Sequence, residues 1–194
     1  MNKIIKNTII LTVITLVSGL LLGLVYEVTK EPIARTQEAA KRAAWQEVFP
    51  DVAEDAFEQI DVDGDVAAQV IADLGIKGSI DEVCAVDGGD TGYVITATDG
   101  EGYGGDIQVT VGITSDGTVS GISFLSISET AGLGMKATES SFYEQYVGVQ
   151  TEQFYVTKDG GEGEPIDAIS GATITTRAVT GAVNAALAYF QNAF

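Results

Sequence analysis

Hydroxyl side chains crowd one stretch of this chain. Asp167-Ala168-Ile169-Ser170-Gly171-Ala172-Thr173 runs directly into Ile174-Thr175-Thr176-Arg177. Beyond it, Val179, Ala182, Val183, Ala186, Leu187 and Phe190 recur at helical spacing. That pattern predicts an amphipathic helix reaching Phe194, with Thr173, Thr175 and Thr176 in its first turn. A helix start leaves backbone N–H groups unpaired and carries partial positive charge, which makes it a seat for a phosphate. Gly171 and Ala172 keep the approach to that seat sterically open. Two readings follow. Ser170 or Thr173 caps the helix, or a hydroxyl here bears a phosphate group, bound or covalently attached; physical grounds alone favour the cap.

Much other chemistry is absent. The chain has no histidine and a single cysteine, Cys84. This excludes Ser-His catalysis, imidazole metal ligation, an internal disulfide and cysteine-held zinc or iron–sulfur centres. Neither a metal site nor an independent catalytic site is expected. Asp61-Val62-Asp63-Gly64-Asp65 has its glycine at the fourth position of a calcium loop rather than the sixth, and lacks the closing glutamate, so a hairpin turn at Asp63-Gly64 is expected. Gly102-Tyr103-Gly104-Gly105 lacks the third glycine of a dinucleotide fingerprint and precedes a strand rather than a helix. Its glycines are expected to let a ring or neighbouring backbone approach closely.

Asp-x-x-Ser-Gly-Ala-Thr, from Asp167 to Thr173, resembles the flavinylation motif of proteins that carry FMN as a phosphoester on the motif's final threonine. Two further blocks fit the same family in order and rough spacing: Gly102 to Ile107 followed by Val109 to Ile113, and Ser128-Glu129-Thr130-Ala131-Gly132-Leu133-Gly134. With the N-terminal apolar segment, they make the chain similar from end to end to the G subunit of the Rnf electron-transport complex. The related C subunit of the sodium-translocating NADH:quinone oxidoreductase is usually longer than the 194 residues here. Ala131 stands where the family often has proline, a departure that bears on the stiffness of the loop. The resemblance implies covalent FMN on Thr173, installed by a dedicated flavin transferase that cleaves FAD. It also implies cofactor contacts from Asp167, Ser170, Gly171 and Ala172 and from Glu129, Thr130, Leu133 and Gly134.

The elements that must position these residues are legible in outline. Thr8 to Tyr26 carries no charge and is rich in Ile, Leu and Val; as a helix it reaches about 28 Å, the thickness of a bilayer core. It is read as a transmembrane helix rather than a cleaved signal, since no small-x-small site follows at Tyr26-Glu27-Val28. Lys3 and Lys6 precede it and Glu27 follows, which keeps the N-terminus cytoplasmic and puts the rest outside the cytoplasmic membrane. Residues 1–28 form this anchor. Residues 29–50, opened by Pro32, form a connecting helix whose Ile33, Gln37, Ala40, Ala44 and Val48 share a face. Residues 51–194 form one extracytoplasmic domain.

In that domain Tyr93–Thr98, Ile107–Thr114 and Thr118–Ile127 are predicted strands of an antiparallel meander, with turns at Asp99-Gly100 and Asp116-Gly117. Cys84 belongs to another strand as a buried apolar residue. Phe142, Tyr146 and Val149 predict a short covering helix, with its aromatics in the core rather than against a cofactor. The fold expected is α+β: one transmembrane helix, then a single FMN-binding domain with an antiparallel sheet and flanking helices.

With a net charge of −18, concentrated after the apolar segment, nucleic acid and anionic headgroups are poor partners. The resemblance implies instead the other membrane subunits of an ion-translocating ferredoxin:NAD oxidoreductase, among which this subunit relays electrons. Two further readings stay open from the residues: an anchored flavoprotein of another extracytoplasmic respiratory system, or a non-redox scaffold in which Thr173 is only a cap.

Overall fold

A computed structural model of the chain describes residues 2–194, and two compact units make it up, one running through Lys41 and the other spanning Arg42–Phe194. Helix α1, Lys3–Val48, contains a stretch long and apolar enough to cross a membrane, with none of it buried. The sequence predicts that Pro32 opens a new helix; instead α1 continues through it. Proline's missing N–H and ring clash cost about 3 kcal/mol in a helix interior. Good helix formers on both sides, Glu31, Ala34, Arg35, Gln37 and Glu38, offset that cost, together with a Glu31–Arg35 ion pair at 2.7 Å.

The second unit is built on a five-stranded antiparallel meander in the order β1 to β5: β1 Phe57–Ile60, β2 Gly78–Val86, β3 Gly92–Asp99, β4 Ile107–Thr114 and β5 Val119–Ser126. The register makes two rows with opposite roles. Val83, Ile95, Val111 and Ile122 lie side by side and join the main core. The adjacent row, Cys84, Val94, Gly112 and Gly121, faces the other way because side chains alternate along a strand. Trp45, Val48 and Phe49, from the end of α1 and just past it, pack on that second face with Cys84, Val86 and Val94. A methyl group on Gly112 would come 2.9 Å from Val48 Cβ, so the glycines make room for the helix end. Ser120 Oγ donates to the Val48 carbonyl (2.8 Å) and Ser123 Oγ to Glu47 Oε2 (2.6 Å), fixing it in place.

Helix α2, Gly64–Leu74, joins β1 to β2. Here the expected hairpin turn at Asp63-Gly64 is corrected: Asp63 is the N-cap, its carboxylate accepting from the N–H groups of Asp65 and Val66. The Asp-Gly pair serves a helix because Val66, Ala67, Ile71 and Leu74 follow at helical spacing and pack against the main core. After β5, α3 is a single turn at Ser140–Tyr143, shorter than predicted, but Phe142 and Tyr146 are core residues as expected. Tyr146 shares a 2.8 Å hydroxyl–hydroxyl bond with Thr180, and burial pushes its phenol well above the ordinary range. Strands β6 Phe154–Val156 and β7 Glu164–Ile166 form a small parallel pair, then α4, Thr173–Ala193, crosses the main sheet. Val179, Ala182, Val183, Ala186 and Leu187 are all buried, the face that the spacing predicts.

Asp99, at the end of β3, is buried against α4, where a side chain on Gly181 would collide with its carboxylate. Its Oδ1 accepts from the Glu101 N–H (2.8 Å), but loss of water dominates and raises its pKa from 3.8 to about 6. The folded chain thus keeps a proton that the unfolded chain has lost. This contribution is fully present below pH 3.8 and is lost as pH rises to about 6. Asp99→Asn is expected to abolish that decline, on the order of 2 kcal/mol, in urea midpoints taken from pH 4 to 7. An unchanged pH profile would contradict it.

Candidate functional site

Three loops meet the start of α4 and enclose a cleft of about 560 Å³. Tyr103 comes from the β3–β4 connection; Glu129, Thr130, Leu133 and Gly134 follow β5. Lys158 comes from the β6–β7 connection, and Gly171 through Thr175 close the cleft.

Glu129 holds the first two loops to the helix. Although it is only 8% exposed, its Oε1 accepts from the Gly104 N–H (3.1 Å) and its Oε2 from the Thr175 hydroxyl (3.0 Å). The glycines expected to permit close approach do so: a side chain on Gly104 would collide with the Ser128 backbone, and one on Gly102 with the Gly105 carbonyl. Gly134 lies against the same carboxyl, where an added methyl would sit 2.6 Å from both Glu129 Oε2 and Thr175 Oγ1. Gly171 adopts a φ of +81° and leaves Leu133 space beside the helix start.

The threonines of the first turn differ sharply. Thr175 and Thr176 are buried, and the Thr176 hydroxyl donates to the Ala172 carbonyl while accepting from the Ile169 N–H. Thr173 is half-buried at the cleft wall, and Lys158 Nζ donates to its Oγ1 at 3.0 Å. The residue at the cap position is Ala172, so no side chain caps α4 and neither Ser170 nor Thr173 plays that part. Arg177 follows one turn later and binds Asp159 through Nε (2.7 Å) and Nη2, which holds the Asp159 carboxyl below its usual range.

Of the residues singled out in the sequence, Glu129, Thr130, Leu133, Gly134, Gly171, Ala172 and Thr173 come together around this cleft. Asp167 and Ser170 do not; they line a separate depression with Lys136, Glu139, Phe142 and Gln145. The Asp167 N–H donates to Gln145 Oε1 (2.7 Å). Lys158, Tyr103 and Ile174 are lining residues that sequence reasoning did not single out. Tyr103 stands inside a glycine motif, whereas the approach of Lys158 to Thr173 is a tertiary contact with no local signal.

The cleft's volume lies in the range of small-molecule and cofactor sites. Leu133 and Ile174 offer apolar surface and Tyr103 an aromatic one, while Lys158 and the uncapped helix start suit an anionic group. An isoalloxazine with a phosphate tail matches these features. Gly134→Ala is expected to cost about 1–3 kcal/mol by crowding Glu129 and Thr175, read as a lower melting temperature; an unchanged one would contradict the packing described.

The sequence matches the FMN-binding domain family over residues 102–188 and the RnfG N-terminal region over residues 1–48. It is 34% identical to the G subunit of the ion-translocating oxidoreductase complex of Methanosarcina acetivorans, over 97% of this chain and 95% of the relative. It is 32% identical to the G subunit of the Na(+)-translocating ferredoxin:NAD(+) oxidoreductase complex of Acetobacterium woodii, over 96% and 91%. With the crystal structure of Shewanella oneidensis NqrC it shares 25% identity at a TM-score of 0.43, over 59% of this chain and 60% of that one. The chain belongs to the family of G subunits of ion-translocating oxidoreductase complexes and carries that family's FMN-binding domain.

Proposed function

We propose that this chain is a membrane-anchored electron carrier holding FMN as a phosphoester on Thr173, within an ion-translocating ferredoxin:NAD oxidoreductase complex. The observation that carries the attachment point is the difference among neighbouring hydroxyls: Thr175 and Thr176 are buried and hydrogen-bonded, while Thr173 opens on the cleft beside Lys158. The assembly follows from family membership, since relatives of nearly full length bear the names of such complexes. Sodium stands in one relative's name and the proton in another's, so the carrier role is common to both couplings.

Bound FMN supplies reversible uptake and release of electrons at its ring system. The protein's part is to hold and shield. Glu129, Gly104 and Thr175 keep the cleft walls in register. Leu133 and Ile174, each partly exposed, cover apolar surface while leaving an open side for electron passage. Residues 1–28 anchor the chain and residues 29–50 connect; Lys3 and Lys6 keep the N-terminus cytoplasmic, with residues 51–194 outside the membrane. A tether makes the flavin permanent there, where a dissociable one would be lost. Its partners are the other membrane subunits of the complex and, during maturation, a flavin transferase that uses FAD.

Thr173→Val, co-expressed with a flavin transferase, is expected to yield protein with no flavin fluorescence after denaturing electrophoresis, whereas Thr175→Val keeps it. Fluorescence retained by Thr173→Val overturns the assignment.

A further inference from the structure

We propose that Lys158 is the cation that binds the phosphate of the tether and positions the Thr173 hydroxyl for its modification. The proposal rests on Thr173 as the attachment point. A flavin phosphate must approach a chain of net charge −18, which repels anions at long range. Lys158 is the one Lys or Arg among the described cleft-lining residues, and its Nζ lies 3.0 Å from Thr173 Oγ1.

The chain on either side of Lys158 is tied to α4. On one side Asn184, in the middle of α4, receives the Phe154 N–H at 2.8 Å and donates to the Phe154 carbonyl at 2.9 Å, fixing β6 to the helix. On the other side Asp159 is gripped by two nitrogens of Arg177. Arg177 lies four residues beyond Thr173 and so projects from the same helical face. The clamp therefore holds the residue next to Lys158 one turn along from the hydroxyl that Lys158 touches. Planar guanidinium against carboxylate is a specific, well-directed pair, suited to holding a glycine-rich loop such as 158–163.

The position serves two stages. Because the ammonium donates to Oγ1, it favours negative charge developing on that oxygen as the hydroxyl proton leaves. In the transfer, Thr173 Oγ1 forms a bond to the phosphorus of the FMN half of FAD. The pyrophosphate P–O bond breaks, AMP departs, and the hydroxyl proton passes to a base of the transferase. Nothing is oxidised or reduced. Afterwards the same ammonium faces a singly charged phosphodiester, a charge-assisted contact.

The test uses the full-length chain, a flavin transferase and FAD, with the rate of mass gain of about 438 Da, FMN less water, as readout. Lys158→Gln keeps the reach and removes the charge; its initial rate is expected to fall about tenfold. Lys158→Arg is expected to stay within about threefold of the parent, since the charge is kept. Lys158→Gln modified as fast as the parent overturns the proposal, and so does an equal loss in both variants, which would make charge irrelevant. Thr173→Val separates the two claims. If it still gains the mass, the attachment point is wrong; if it gains none while Lys158→Gln is unimpaired, only the role of Lys158 fails.

Discussion

The buried carboxyl of Glu129 is the contact on which the cleft depends. It accepts one hydrogen bond from the Gly104 N–H and another from the Thr175 hydroxyl, and so binds the loop after β3, the loop after β5 and the start of α4 to one point. Removing one partner of such a group leaves the other polar atoms buried and unpaired, which costs more than the bond itself contributes. Gly102, Gly104 and Gly134 are glycines because their Cβ positions are occupied by this junction.

Helix α4 is the second constraint. Its apolar face lies on the sheet through Val179, Val183 and Leu187, and its polar groups reach the surrounding loops: Thr180 to Tyr146, Asn184 to β6 and Arg177 to Asp159. One helix therefore fixes the floor of the core, the start that carries Thr173 and the loop that carries Lys158. On the opposite face of the sheet, Gly112 and Gly121 make room for Val48, so the end of the membrane-reaching helix is part of the same domain's packing.

How much of this is legible in the chain depends on the range of the interaction. Runs rich in Val, Ile and Thr between Asp-Gly turns mark β3, β4 and β5, and a period of 3.6 marks α4, because these signals lie within each segment. The segments that misled are those where a local signal has two uses. Asp63-Gly64 suits a turn or a cap, and only the apolar spacing beyond it decides for α2. Pro32 suits a helix start or a tolerated interior position, and the strength of its neighbours decides for continuity. Trp45 packs where no periodicity marks it, and the three-residue strands β6 and β7 are too short to show a pattern. The motif from Asp167 to Thr173 reads as one unit in sequence but divides in space, with Asp167 and Ser170 on one depression and Thr173 on the cleft. Lys158 is near Thr173 only through folding.

Peptide mapping tests the central claim most directly. Trypsin cuts after Lys158 and Arg177, releasing Asp159–Arg177 with Ser170, Thr173, Thr175 and Thr176 as its hydroxyl-bearing residues. For the chain isolated from cells that make the whole complex, fragment ions should put FMN on Thr173 and leave Ser170, Thr175 and Thr176 bare. An unmodified peptide, or FMN on any other residue, would contradict the account.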